Sequence, residues 1–280
     1  TTTQEIFVSE AKLVFIGAGN MATSLIGGLI EKGYSTNRIV ACDPVVDSGK
    51  RLEAAFGITT HTENASAAAQ ADIIILAVKP QVMKVVACDL APALAHKPLV
   101  ISIAAGITAA ALQSWLGEEM PIIRCMPNTP ALVQSGASGL FATNLVNPLQ
   151  RQRAGDILAA VGTVSWLASE DEIDKVTALS GSGPAYFFLV IEAMTEAAIK
   201  LGLDPKTARQ LTLQTALGAA RMAEASDVDA GELRKRVTSP AGTTEKAINS
   251  LLDNKLPEHF EQAIAAAYHR AKEMADELSV

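Results

Sequence analysis

The stretch KLVFIGAGNMATSLIGGLI, residues 12–30, constrains the fold more than any other part of the chain. A short apolar run closes at Ile16. Gly17, Ala18 and Gly19 follow, and a helix-forming segment begins without a linker. Glycine is a poor strand former; its value is a backbone that reaches positive φ and carries no Cβ. A strand that ends on such residues and turns directly into a helix is the opening unit of an open α/β sheet. The same alternation recurs downstream. β-rich runs are predicted at 12–16, 38–42, 72–78, 99–103, 122–125 and 163–167, with GASGLFAT at 136–143 as a further candidate. Amphipathic or alanine-rich segments such as MATSLIGGLIEKG and PLQRQRAGDILAAVG separate several of them. This alternation implies an α/β fold with a mostly parallel, doubly wound sheet covered by helices on both faces.

The pattern changes after LASEDEID, beyond which no strand is predicted. GPAYFFLVIEAMTEAAIKLGL carries apolar residues at Phe187, Ile191, Met194, Ala198 and Leu201, which is helical spacing. DPKTARQLTLQTALGAARMAEA is a second helix, with Asp204 as N-cap and Pro205 at the first helical position. TTEKAINSLLDN and PEHFEQAIAAAYHRAKEMADELS are a third and a fourth. The expected division is an α/β domain over 1–168 and an all-α domain over 169–280. The second has roughly 110 residues, a size that can hold its own core.

Composition excludes several function classes. The 280 residues are 49% hydrophobic, enough for a core, and suit one large or two modest domains. No apolar run reaches the roughly 18 residues that span a bilayer, and TTTQEIFVSE lacks the parts of a signal peptide. A soluble protein without a membrane partner is expected. With 23 basic and 30 acidic residues the formal charge is −7, which argues against nucleic-acid binding. Cys42, Cys88 and Cys125 form no C-x-x-C pair, so no disulfide framework is expected and a reducing, cytoplasmic compartment fits. His61, His96, His259 and His269 show no metal-ligand spacing, and no metal site is predicted.

Gly17 to Ala22 spell G-A-G-N-M-A, a G-x-G-x-x-A pattern. The first glycine permits a tight turn, the second lets a diphosphate approach the backbone, and the small third residue lets helix and strand pack closely. Helix-start N–H groups and the helix dipole would then hold the phosphates. Asp43 ends the second predicted strand, where an acid can bond a ribose 2′-hydroxyl and disfavour a 2′-phosphate. Lys50 and Arg51 could instead reach a phosphate, and Asp43 could simply start the turn with Pro44. Ligands of open sheets sit at the carboxyl ends of strands. There the chain places Ala77, Val78, Lys79 and Pro80, then Ala104, then Asn128 between two prolines. An Asn amide both donates and accepts, so Asn128 can match a carboxamide or form a turn. Two further segments, TALSGSGPAY and VTSPAGTTEKA, read as loops that open helices with free N–H groups. The second is uncharged from Val237 to Thr244, has Thr243 or Thr244 as N-cap, and suits either plain capping or a carboxylate ligand.

Taken in order, FIGAGNMA, AVKPQ, VISIAAGIT, RCMPNTPALV, VTALSGSGPAYFF and LRKRVTSPAGTTEKAI resemble pyrroline-5-carboxylate reductases over nearly the whole length. Ala241 stands where relatives often have glycine. The resemblance implies a Rossmann-type domain followed by a helical dimerisation domain, with dimers that often assemble further, commonly into decamers. It implies reduction of Δ1-pyrroline-5-carboxylate to L-proline with NADPH or NADH. Carried over by motif, Gly17, Ala18, Gly19, Asn20, Met21, Ala77, Val78, Lys79, Pro80, Ala104 and Asn128 would line the cofactor. Ser239, Gly242, Thr243 and Thr244 would hold the substrate, with the Thr244 hydroxyl near the ring nitrogen. A protonated imine already attracts hydride, so alignment and exclusion of water are the main demands. Two other readings are a 3-hydroxyacid-type dehydrogenase and a non-catalytic dinucleotide sensor. The first wants a lysine or histidine base in the helical domain, and SGSGPAYFFLVIEA offers none along its first turns.

Overall fold

The computed structural model describes residues 11–279. In chain order the α/β part runs β1 (Leu13–Ile16), α1 (Asn20–Glu31), β2 (Ile39–Cys42), α2 (Val46–Phe56), β3 (Thr59–His61), α3 (Asn64–Ala68), β4 (Ile73–Leu76) and α4 (Pro80–Leu90). It continues with β5 (Leu99–Ser102), α5 (Ala109–Leu116), β6 (Ile122–Met126), β7 (Gly136–Ala142), α6 (Pro148–Ala159) and β8 (Gly162–Trp166). The helical part holds α7 (Glu172–Val176), α8 (Gly183–Lys200), α9 (Pro205–Glu224), α10 (Ala230–Arg236), α11 (Thr243–Asp253) and α12 (Leu256–Leu278).

Among the described residues, the eight strands form one sheet in the order β3-β2-β1-β4-β5-β6-β7-β8. Every pairing is parallel except β6 with β7. Strands LVFI, IVAC, IIIL and LVIS are apolar or small throughout and buried throughout, as a parallel sheet covered on both faces requires. Side chains alternate between faces. Leu13 and Phe15 of β1 join one core cluster, and Val14 and Ile16 join the other. The mostly parallel, doubly wound sheet and the all-α region after it are as expected, and the 136–143 candidate is strand β7.

Strand β3 and helices α7 and α10 were not among the predicted elements. Strand β3, TTH, is a short edge strand with an exposed first and last residue, so it lacks the apolar run that marks the others. Helix α10, AGELRKR, is too short and polar to show an apolar stripe, and Asp229 caps it by accepting the Glu232 N–H. At α9 the expected cap is present: Asp204 accepts the Thr207 N–H at 2.9 Å, with Pro205 at the first helical position.

Packing divides the described residues into two compact units, 11–182 with 267–279, and 183–266. The expected division at 168/169 lies fourteen residues earlier, and it gave the whole of the last helix to the second domain. The difference arises because α7 packs against β6 and β7, and because the end of α12 packs with the sheet unit. The helical stretch Glu172–Lys200 is long and apolar enough to cross a membrane by length and composition alone, although it holds no uninterrupted apolar run of that length. Glu192 interrupts the run in the sequence, while the average over an 18-residue window stays at a mean hydropathy of 1.2. Only 11% of that window is buried within the chain. The three cysteines are unpaired, with Cys42 and Cys125 buried and Cys88 exposed.

Candidate active site

The carboxyl ends of β1, β2, β4, β5 and β6 share one edge of the sheet. Ile16 pairs with Cys42 and Leu76, Leu76 with Ser102, and Ser102 with Arg124. Strand order reverses between β1 and β4, which is the switch point where such sheets bind ligands. Gly17 sits there at φ +104°, and its N–H donates to the Cys42 carbonyl at 2.7 Å. A Cβ at Gly17 would lie 2.6 Å from the Ala77 carbonyl oxygen, so the position excludes other residues on two counts. Gly19 precedes α1 in an extended conformation, and no side chain caps that helix. A Cβ at Gly19 would meet nothing within 4 Å. The helix start therefore opens onto space next to an uncapped positive dipole, which fits a dinucleotide diphosphate. Gly17 and Ala18 are buried, Met21 is half-buried, and Gly19 and Asn20 are exposed. Ala22, the small third residue, is fully buried in the helix–sheet interface.

Asp43 joins this turn directly. Its Oδ2 accepts the Ala18 N–H at 2.9 Å, and its Oδ1 accepts the Val45 N–H at 2.9 Å. One carboxylate thus ties the glycine turn to the β2–α2 turn. Ala77 and Val78 are half-buried beside Gly17, Lys79 is exposed as the N-cap residue of α4, and Pro80 is its first residue. Ala104, 8% exposed, lies just past β5.

Asn128 is buried and its amide is committed to the protein. Nδ2 donates to the Ser180 carbonyl at 3.0 Å, and Oδ1 accepts the Ala137 N–H at 2.8 Å. The reason lies in the helix it touches. TALSGSGPAY is not a loop: α7 passes through a π-turn, Thr177–Gly181, into α8. The Ser182 N–H donates to the Thr177 carbonyl at 2.8 Å, closing the wider ring. The expected helix opening with free N–H groups is therefore absent. Pro184 falls inside the continuous helical stretch and has no N–H to give Ser180, four residues before it. Asn128 supplies that missing donor. Gly181 allows the turn to approach Met126, whose Cε would lie 2.6 Å from a Cβ there.

A second polar group backs the same edge. Arg124, 3% exposed on β6, pairs with Glu170 at 2.8 Å, and Glu170 also accepts the Ala109 N–H at 2.6 Å. Burial raises the Asp174 carboxyl above its ordinary value despite the nearby Arg124 charge. Sequence reading missed this network because its members are far apart in the chain; an arginine inside the apolar strand IIRCM was the available signal.

The Ser239–Thr244 region belongs to the helical unit. Gly242, not a threonine, is the N-cap residue of α11, and no side chain caps it. Thr243 and Thr244 are its first two residues, the former exposed and the latter half-buried. The expected threonine cap is thus absent because the helix starts one residue earlier than the hydroxyl pattern suggests. Ser239 is exposed, its carbonyl accepts the Gly242 N–H at 3.0 Å, and a Cβ on Gly242 would crowd that carbonyl. Although 237–244 is uncharged, Glu245 folds back and accepts the Ala241 N–H at 2.8 Å. Ala241 has φ +58°, so this position does use the left-handed region that favours glycine.

Two family models match the chain. One, described as pyrroline-5-carboxylate reductase dimerisation, covers residues 170–274, and one, described as NADP oxidoreductase coenzyme F420-dependent, covers 12–106. A pyrroline-5-carboxylate reductase of Pseudomonas aeruginosa is 53% identical, over 97% of this chain and 99% of that protein. The enzyme of that name from Pisum sativum is 37% identical over 94% and 96%. Among solved structures, a pyrroline-5-carboxylate reductase from Coxiella burnetii superposes with a TM-score of 0.92 at 47% identity, covering 95% of this chain and 99% of that one. A Plasmodium falciparum pyrroline carboxylate reductase with NADP bound gives 0.84 at 30% identity, covering 95% and 98%. A Mycobacterium tuberculosis 3-hydroxyisobutyrate dehydrogenase, at 16% identity and a TM-score of 0.52 over 96% and 94%, shares the fold alone. With that identity sustained from the glycine turn to the last helix, the chain belongs to the pyrroline-5-carboxylate reductase family.

Proposed function

We propose that the protein reduces the C=N bond of Δ1-pyrroline-5-carboxylate to L-proline, the last step of proline synthesis, with NADPH or NADH. Family membership along the whole chain carries the reading of substrate and reaction. The open, uncapped helix start at Gly19 supports the dinucleotide. When bound, the reduced nicotinamide supplies a hydride to the imine carbon. The chain's own residues bind and orient. Gly17, Ala18, Gly19, Asn20 and Met21 offer the turn for the diphosphate, and Asp43 stands beside it. Ala77, Val78, Lys79, Pro80 and Ala104 line the rest of the cofactor. Asn128 contributes by holding the Ser180 turn against the same sheet edge, since both ends of its amide are engaged there.

Ser239, Gly242, Thr243 and Thr244 hold the substrate. Backbone N–H groups at the uncapped start of α11 suit its carboxylate, and the Thr244 hydroxyl orients the ring nitrogen or passes it a proton. The acidic surface suits a small-molecule enzyme of the cytoplasm. Self-association as a dimer, with further assembly into a decamer, accounts for the exposed apolar side chains of α8. A functional division after residue 168 is supported by the start of the dimerisation region at 170. The test is oxidation of NADPH and NADH with pyrroline-5-carboxylate against a panel of 3-keto acids. Turnover confined to the imine is expected. Turnover confined to the keto acids, or none with either, would overturn the reading.

A further inference from the structure

The loop between β5 and α5, residues 103–108, is held from behind by residues distant in sequence. The Thr108 N–H donates to Ser279 Oγ at 3.0 Å, and Ser279 Oγ donates to the Gly106 carbonyl at 3.3 Å. The Ala109 N–H is taken by Glu170 at 2.6 Å, and the Ala111 N–H by the Thr108 hydroxyl at 3.1 Å. Three donors at the start of α5 are thereby occupied by the protein itself. Gly106 has φ +70°, and a Cβ there would lie 3.1 Å from Met274 Cβ and 3.3 Å from Leu278 Cδ1. Leu278 also packs against the core cluster that includes Leu112 and Trp115 of α5. The end of α12 therefore packs Met274 and Leu278 against this loop, and Ser279, just past the helix, clasps it with one hydroxyl.

We propose that the end of α12, together with Ser279 just past it, is a positioning element of the cofactor site, with Ser279 fixing the backbone of the loop that carries Ala104. The inference rests on the proposed cofactor role of Ala104. Ser279 itself acts on neither cofactor nor substrate; it reduces the freedom of residues 104–108, so that less ordering is left to be done on binding. A loop tied at two backbone groups opens less often, and its amides exchange correspondingly more slowly.

The full-length protein tests this with three variants. Ser279→Ala removes both bonds, Ser279→Thr keeps the hydroxyl, and Ala104→Leu tests the cofactor reading by itself. Amide exchange of residues 103–108 is followed without cofactor, and NADPH affinity is followed by fluorescence titration. For Ser279→Ala, loop exchange about tenfold faster and an NADPH Kd about three- to tenfold weaker are expected, the size of one or two lost hydrogen bonds. The KM for pyrroline-5-carboxylate should stay within about twofold, and Ser279→Thr should restore both readouts. Unchanged loop exchange in Ser279→Ala would show that no clamp exists and overturn the proposal. Faster exchange with unchanged NADPH affinity would overturn it differently, by showing a clamp that serves no cofactor. Undiminished NADPH binding by Ala104→Leu would locate the failure in the cofactor reading instead.

Discussion

Thr244 is the residue that the proposed mechanism sets beside the ring nitrogen. The structure leaves its hydroxyl without a capping role, because Gly242 occupies the N-cap position and no side chain caps α11. Thr244→Ala should therefore spare most of the roughly 1 kcal/mol that a lost N-cap costs. It should instead lower kcat by about tenfold to a hundredfold, or about 1.4–2.7 kcal/mol of transition-state stabilisation, with Thr244→Ser retaining most activity. Turnover and melting temperature on both variants decide the matter; a stability loss with unchanged kcat would remove Thr244 from the mechanism. Asp43 carries two duties at once. Its bond to the Ala18 N–H supports the glycine turn, and under the proposed function its charge would disfavour a 2′-phosphate. Asp43→Ser should weaken both cofactors and move the ratio of specificity constants toward NADPH; an equal loss for both would leave it only a strut. Ala241 sits at φ +58°, where alanine is strained by roughly 1–2 kcal/mol. Part of that is returned because glycine gains freedom in the unfolded chain. Ala241→Gly should stabilise the protein by about 0.5–1 kcal/mol, measured by urea unfolding, with little change in kcat.

At the scale of elements, the passage from α7 to α8 is held together by a substitution of donors. Pro184 would leave the Ser180 carbonyl short of its helical partner, and Asn128 provides one from the β6–β7 connection. Removing the amide strands a carbonyl and the Ala137 N–H together, so Asn128→Ala should cost about 2–4 kcal/mol. Pro184→Ala restores an N–H four residues beyond Ser180. In that background the Asn128→Ala penalty should shrink by about 1 kcal/mol, a coupling that a double-mutant cycle measures. Full additivity of the two substitutions would mean that Asn128 acts on Ala137 alone.

For the whole molecule, the apolar surface of the helical unit is the dominant fact. Phe187, Phe188 and Leu189 are exposed by 71%, 65% and 64%, in a region that matches the family's dimerisation model. Side chains of this kind left in water would each forfeit roughly 1.5–3 kcal/mol of burial. The protein should be a dimer or a larger assembly at micromolar concentration by light scattering. Phe187→Glu should shift it toward monomer with a large loss of activity. A wild-type monomer with full turnover would refute the dimeric proposal.

What the sequence by itself determined follows from local rules. Apolar runs buried on both faces specify the central strands, and the G-x-G-x-x-A spacing specifies the turn at Gly17. Asp204 with Pro205 specifies the start of α9. All of these depend on neighbours in the chain. The edge strand β3 was hidden because one buried face is not required of it, and α10 because seven residues cannot show a stripe. Whether Asn128 faces a ligand or a carbonyl, and whether SGSG opens a helix or bends one, was decided only by tertiary structure. Each answer depends on where a backbone donor is missing, and a hydrogen-bond partner 52 residues away leaves no local trace. Ser279 is the extreme case, bonded to a loop more than 170 residues earlier, where only the folded path of α12 brings the two together.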